Sequence, residues 1–378
     1  MRWIVVAIGI AALLWFAVLE MRPDDRARDP TLDLAAALST HDAGYARADH
    51  VREFRFPTDH GPHPCFRHEW WYFTGNLKTP SGRRFGYELT IFRFALSPQR
   101  AERASHWGTN QLYMGHLALT DPQRESFDFF ERFSRGALGL AGARAAPFKV
   151  WLEDWEIASL GERVFPWWLK AKAGDVTLDL TLRPVKPRVL QGDRGLDRKS
   201  AAGDASYYYS YTRLGTTGTL RVGARAFMVS GWSWLDREWS SGALAEDQQG
   251  WDWFALQLDN GADLMFYRLR GADGTTDPNS GGVWVTRRGN PTSLAHDDAT
   301  LSELDYWSSP RGGAYPARWR LSVPQRDCKF TITPLLADQE LDASVRYWEG
   351  AVAVRGACRG EEIRGRGYVE LTGYAQAL

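Results

Sequence analysis

The segment Asp236-Arg237-Glu238-Trp239 places two carboxylates, a guanidinium and an indole in four consecutive residues. A carboxyl kept protonated in an apolar site can act as a general acid, and an aromatic face beside it can stabilise a cation. Asp236 and Glu238 are therefore candidate acids. A fixed Arg237 would hold either of them ionised, the wrong state for donating a proton, so a purely structural Arg–carboxylate cluster is the competing reading. His116, in the strand-like run Tyr113 to Thr120, is the other acid–base candidate, with a satisfied core histidine as its plain alternative. Glu69 and Glu88 stand inside aromatic strands, and Arg93 and Arg268 occupy similar places in two similar stretches. Such repeated placement reads as structural ion pairing.

Other chemistries find little footing. Asp59, His60, His63, Cys65 and His68 offer zinc-type ligands, but Pro62 and Pro64 stiffen the segment and no distant cluster completes a set, so no metal is expected. Neither a G-x-S-x-G elbow nor a Gly-rich phosphate loop opening a helix occurs, so no nucleotide cofactor is expected. With 46 Lys plus Arg against 46 Asp plus Glu and no long basic run, nucleic acid is not the expected partner.

The elements that must position these residues are strands. The chain carries 18 Trp, 18 Phe, 14 Tyr and 36 Gly among 378 residues, a composition for twisted strands and tight turns around a wide apolar interior. Arg84 to Phe94, Asp175 to Leu182 and Gly218 to Val222 alternate as strands do, and a helical period is nowhere sustained. Trp70-Trp71-Tyr72-Phe73 is echoed by Trp251-Asp252-Trp253-Phe254, and Gly231 to Asp236 by Gly365 to Glu370. Two echoes in the same order predict two related β-domains, 51–245 and 246–378. Closed antiparallel barrels would leave no free sheet edges and would enclose a cavity. Trp71, Tyr72, Trp239 and Trp253, with Arg237, are the residues expected against a hydrophobic ligand there.

Residues 1–19 contain an uninterrupted apolar run from Trp3 to Leu19, about 25 Å as a helix, which reads as a signal anchor or a signal peptide. Residues 20–50, with Pro23 and Pro30, read as a linker with a short helical piece over Asp33 to Leu38. Either reading exports the remainder to the cell envelope. The expected location is the periplasmic side of the inner membrane, anchored, or secreted if the segment is cleaved. Cys328 and Cys358 could pair in such a compartment or stay reduced, and Cys65 is left over.

The motif His68-Glu69-Trp70-Trp71-Tyr72-Phe73-Thr74-Gly75-Asn76-Leu77 resembles the AttH and hydroxyneurosporene synthase (carotenoid 1,2-hydratase) family. So do Gly115 to Asp121, Glu131 to Arg135, Trp234 to Trp239, Gly250 to Leu258, Tyr347 to Val352 and Gly365 to Tyr374. The resemblance implies an all-β fold of two tandem lipocalin-like antiparallel β-barrels behind the N-terminal hydrophobic helix. It also implies hydratase or cyclisation chemistry on apolar substrates in some relatives, and adds Tyr267 to the catalytic candidates. Where those hydratases carry His after the Asp, this chain has Arg237, and the strand of Tyr267 lacks their Asp, which argues against carotenoid hydration itself. The expected function is binding of a lipid or isoprenoid-like molecule. A hydratase or lyase needing no cofactor is the alternative, and a periplasmic scaffold for a membrane transporter the third reading.

Overall fold

The computed structural model describes residues 32–33, 43–99 and 105–375, apart from 202, 241, 243 and 246. The apolar run 1–19 and residues 34–38 of the expected helical piece lie outside them, while Asp33, its first residue, is in a strand. No helix of the described residues is long and apolar enough to cross a membrane. Part of the segment read as a linker lies on the fold. Leu32–Asp33 pairs in parallel with Val345 and Arg346, the Tyr45 hydroxyl donates to the Ala95 carbonyl at 2.7 Å, and Ala48 is buried.

Two large sheets, antiparallel but for the Leu32–Asp33 pairing, make up the described residues, with helix reduced to two short turns, Thr58–His60 and Pro324–Arg326. The first sheet draws its strands from His68–Lys78 through Arg225–Ser240, the second from Gln248–Leu258 through Glu361–Leu371, with Leu32–Asp33 added. Their wiring is the same. In each, the opening strand pairs on one side with its hairpin partner and on the other with the last strand of that sheet: His68–Lys78 with Arg84–Ala95 and Arg225–Ser240, and Gln248–Leu258 with Asp263–Gly271 and Glu361–Leu371. Gly82 and Gly261 close the two opening hairpins at φ +87, a conformation that costs glycine little and a residue with Cβ more. This register aligns Trp70 with Trp251, Tyr72 with Trp253 and Arg93 with Arg270, so the sequence pairing of Arg93 with Arg268 is two residues out.

The expected closed barrels are open. Hydrogen bonding in the first sheet ends at Ser126–Arg135 and Ala141–Ala145, and in the second at Pro291–Ala295 and Thr300–Ser308. In both sheets those edge strands are consecutive in the chain, joined by residues 136–140 and 296–299, links that span at most about 18 Å. The second sheet curls into a nearly closed, barrel-like wall, with no final ladder among the described residues.

Strand alternation divides most of the large rings between three cores, and a smaller fourth cluster holds Phe92 and Tyr347. Trp71, Phe73 and Trp239 fill the first sheet's interior with Trp155, Trp167 and Tyr209, and Phe254, Trp319 and Trp348 fill the second. Tyr72, Trp234, Trp253, Tyr267 and Tyr368 point the other way and pack where the sheets meet. A Cys328–Cys358 disulfide ties two neighbouring strands of the second sheet, while Cys65 is free and exposed.

Candidate functional site

A narrow cleft, with about 70 Å³ of space for the centre of a water-sized molecule, lies between the sheets. Trp70, Tyr72, Asp236 and Glu238 come to it from the first sheet, and Trp251, Trp253, Tyr267 and Glu370 from the second. The internal repeat builds it: Trp70 answers Trp251, Tyr72 answers Trp253, and Asp236, cross-strand from Tyr72, answers Glu370, cross-strand from Trp253. Two copies of one hairpin-plus-strand unit thus present a carboxyl and two rings each to a shared space.

The carboxyls are unusual in what surrounds them. Asp236 is buried and accepts hydrogen bonds from the Trp234 indole at 2.8 Å and from the Ser210 hydroxyl. Burial pushes its pKa up to about 7 even against those donors. Glu370, half-buried on the opposite wall, bonds to Glu349 and accepts from the Trp251 indole, and burial raises it to about 7 as well. Behind it, Glu349 takes the Tyr72 hydroxyl at 3.0 Å and is raised well above the carboxylate range by burial, then by Glu370 and Glu88. Glu88 is fully buried, has no hydrogen-bond partner on either oxygen and is pushed up to about 8 by burial. Among the described residues none of these four makes an ion pair with a Lys, Arg or His, so Glu88 is not the structural ion pair its setting suggests. Glu238 differs. Burial raises it, but the Lys199 ammonium stands 3.5 Å away and opposes the shift. Lys199 is held by Asp197, which also accepts the Tyr267 hydroxyl at 2.8 Å.

Arg237 does not govern Asp236 or Glu238, contrary to the sequence argument. Alternation turns Arg237 into the first sheet's interior, where it pairs with Glu69, donates to the Gly61 carbonyl at 2.6 Å and lies 4.0 Å from the Trp71 ring centroid. Arg93 holds the other oxygen of Glu69, and the two guanidiniums keep that carboxyl well below the usual range despite its burial. Trp71 and Trp239 belong to the same interior. His116 sits behind the cleft-lining Phe92, with its ring nitrogens at 2.7 Å from the Tyr347 hydroxyl and 3.0 Å from Glu131. Of the nine residues proposed from sequence, the cleft brings together Asp236, Glu238, Tyr267, Tyr72 and Trp253; it does not include His116, Trp71, Arg237 or Trp239.

The segment 59–68 has other uses for its ligand-type side chains. Asp59 pairs with Arg52, His60 bonds Tyr209 at 2.7 Å, and His63 lies against Glu69 and stacks on Trp239. Among the described residues no group of three or more His, Cys, Asp or Glu could hold a metal ion. Sequence reasoning missed Glu370, Lys199, Asp197 and Trp251. For Glu370 the signal was present, since the echo sets Asp236 directly over it.

A duplicated β-sheet architecture with a cleft at the join defines the class of protein. The AttH-like family model matches residues 47–374, and the chain belongs to that family. A crystal structure of a putative AttH from Nitrosomonas europaea is 34% identical and superposes with a TM-score of 0.77, covering 87% of this chain and 99% of that one. Kievitone hydratase from Nectria haematococca shares the fold at 14% identity and TM-score 0.68, over 89% of this chain and 98% of its own. CghA, solved with Sch210972, does so at 13% and 0.53, over 90% and 97%. No curated protein matches the chain.

Proposed function

We propose that this protein binds a hydrophobic, unsaturated molecule in the cleft between its two lipocalin-like units, 51–245 and 246–378, and adds water to, or removes it from, a carbon–carbon double bond there. The observation that carries this reading is Asp236, a buried carboxyl without a cation, poised near neutrality and facing a cleft walled by indole and phenol rings. An acid for protonating carbon must keep its proton at working pH, and a pKa near 7 combines that with a useful driving force.

In the hydration direction Asp236 gives its proton to one alkene carbon, and the π electrons form that C–H bond. The cation left on the neighbouring carbon lies among the rings of Trp70, Trp251, Trp253 and Tyr72. Water adds to it, and the proton that water sheds goes to the Glu370 carboxylate. Two carboxyls near 7 make the state with one proton between them well populated at neutral pH. Glu238, Lys199, Asp197 and Tyr267 form a linked polar edge that would orient a hydroxyl of the substrate. That kievitone hydratase bears its name on the same fold is consistent with this chemistry. With the apolar N-terminal run as anchor or signal, the site would stand in the cell envelope, on the periplasmic side of the inner membrane.

The test uses a panel of acyclic isoprenoids and prenylated phenols, with their tertiary alcohols, incubated in ¹⁸O-labelled water and followed by mass spectrometry. Label should enter a product with the wild type, and Asp236→Asn should lower turnover by roughly 10²–10⁴-fold while apolar ligands still bind. Binding without turnover in the wild type would leave a carrier. Turnover that survives Asp236→Asn would remove the acid from the scheme.

A further inference from the structure

The join between the sheets has a second opening, away from the acidic cleft. There a groove of about 930 Å³, counting open solvent, is lined by Asn76, Lys78 and Trp232 of the first sheet and by Asp259, Arg364 and Arg366 of the second, with Arg213 beside them. Its position is fixed by two close contacts across the join. The Asn76 amide donates to the Gly367 carbonyl at 2.9 Å, and Gly86 lies so near Ala351 that no Cβ would fit. Arg366, next to Gly367, lines the groove, and Arg84, two residues before Gly86, stands outside its lining, cross-strand from the lining Lys78 and near enough to feel the Arg366 charge.

The cations here are of two kinds. Arg213 is saturated by Asp263 at 2.6 Å and by two backbone carbonyls, and Arg364 is paired with Glu362 at 2.9 Å. Among the described residues Arg84 and Arg366 have no carboxylate within ion-pair distance, and the Arg84 Nη2 is buried without any acceptor. Arg84 pairs cross-strand with Lys78, which adds a third positive charge. Asp259, the one carboxylate on the groove wall, forms no ion pair with either guanidinium. Burial, and for Arg84 the neighbouring Arg366 charge as well, holds both below the usual arginine range. Two partly desolvated like charges with unused donors are costly unless something anionic reaches them.

We propose that this groove is a second ligand site, in which the paired guanidiniums of Arg84 and Arg366 grip an oxyanion of the phosphate type. Planar five-donor forks suit tetrahedral oxyanions, which they bind in bidentate fashion. Trp232, 40% exposed on the groove wall, offers an apolar surface for whatever the oxyanion is attached to. Phosphate on a soluble organic molecule and phosphate in a lipid head group share this chemistry. The site stands whether or not the acidic cleft is catalytic.

The test titrates the full-length protein with inorganic phosphate at constant ionic strength and reads binding by calorimetry and thermal unfolding. A saturable signal is expected from the wild type. In the Arg84→Gln/Arg366→Gln double variant affinity should fall roughly tenfold or more, whereas Arg225→Gln, an exposed arginine outside the groove, should behave as wild type. Without phosphate the double variant should be no less stable than the parent. Should it fail to fold, Arg84→Lys/Arg366→Lys keeps the charge but not the fork and should still lose much of the affinity. A second arm compares sedimentation with phosphatidylglycerol and phosphatidylcholine vesicles. Capture by phosphatidylglycerol that the Gln pair weakens supports the site and assigns a lipid head group. Phosphate binding without such a difference supports it and assigns a soluble phosphate. An equal response of wild type and Gln pair to phosphate, or no response in either arm, overturns it.

Discussion

Glu69 and Asp236 are both buried on neighbouring strands of the first sheet, yet their surroundings drive them in opposite directions. Glu69 points into the sheet's interior and is gripped by Arg93 and Arg237, so it stays ionised. Asp236 points to the join between sheets, meets only neutral donors and keeps a proton to about pH 7. One step along the strand separates Asp236 from Arg237, and alternation alone sends them to different worlds. Burial by itself therefore says little about a carboxyl's state. The neighbouring charge decides, and this molecule gives charge compensation to its interior and withholds it from its cleft.

The largest expected effect lies on the compensated side. Glu69→Gln leaves two buried guanidiniums facing each other, and we expect a loss of about 3–5 kcal/mol in urea unfolding. Adding Arg237→Met to it should recover part of that loss, and the double-mutant cycle would report the coupling. Additive losses would mean that Arg237 is held by Trp71 and backbone carbonyls rather than by Glu69.

The next effect is the pH dependence of stability, with opposite signs in the two regions. Glu69 has a folded pKa below its unfolded value, so its contribution is present above the ordinary glutamate range and is lost as pH falls through it toward the depressed folded value. Asp236 has a folded pKa above its unfolded value, so its contribution is present below about pH 4 and is lost as pH rises to about 7. Asp236→Asn should flatten the decline between those limits, by at most about 1.4 kcal/mol per pH unit. Unfolding curves at fixed temperature across pH 4–8 measure it, and an unchanged slope would mean that Asp236 titrates normally. Glu88→Gln extends the comparison, since burial holds Glu88 protonated to about pH 8 with no cation at its oxygens.

This contrast was only half legible in the sequence. The strand alternation, the aromatic content and the twofold echo carry the all-β architecture and even the equivalence of Asp236 and Glu370. Charge pairing was not legible, because it depends on which strands lie next to one another. Glu69 finds Arg237 only because Arg225–Ser240 pairs with His68–Lys78, from 168 residues away. Nor did Lys199 announce itself, since it reaches the cleft from the segment beyond the three-residue strand Leu196–Arg198. Sheet closure was misjudged for a related reason: alternation shows which side of a strand faces inward but not whether the last edge finds a partner.

The smallest effect would sharpen the comparison most, because it adjusts one neutral donor and no charge. The Trp251 indole donates to Glu370 and favours its ionised form, whereas the Trp234 indole does the same for Asp236. Trp251→Phe keeps an aromatic wall and removes only that N–H, so Glu370 should hold its proton to higher pH by less than about one unit, for a stability change of about 1 kcal/mol. The carboxyl carbon resonance of Glu370, followed by NMR through the titration, reads this directly. If the midpoint stays fixed, burial, Glu349 and the nearby Asp236 and Glu238 carboxyls set the proton affinity of Glu370. If it rises, neutral donors are tuning the site, and the indoles of Trp234 and Trp251, one on each acid, become the residues that set the balance between the two.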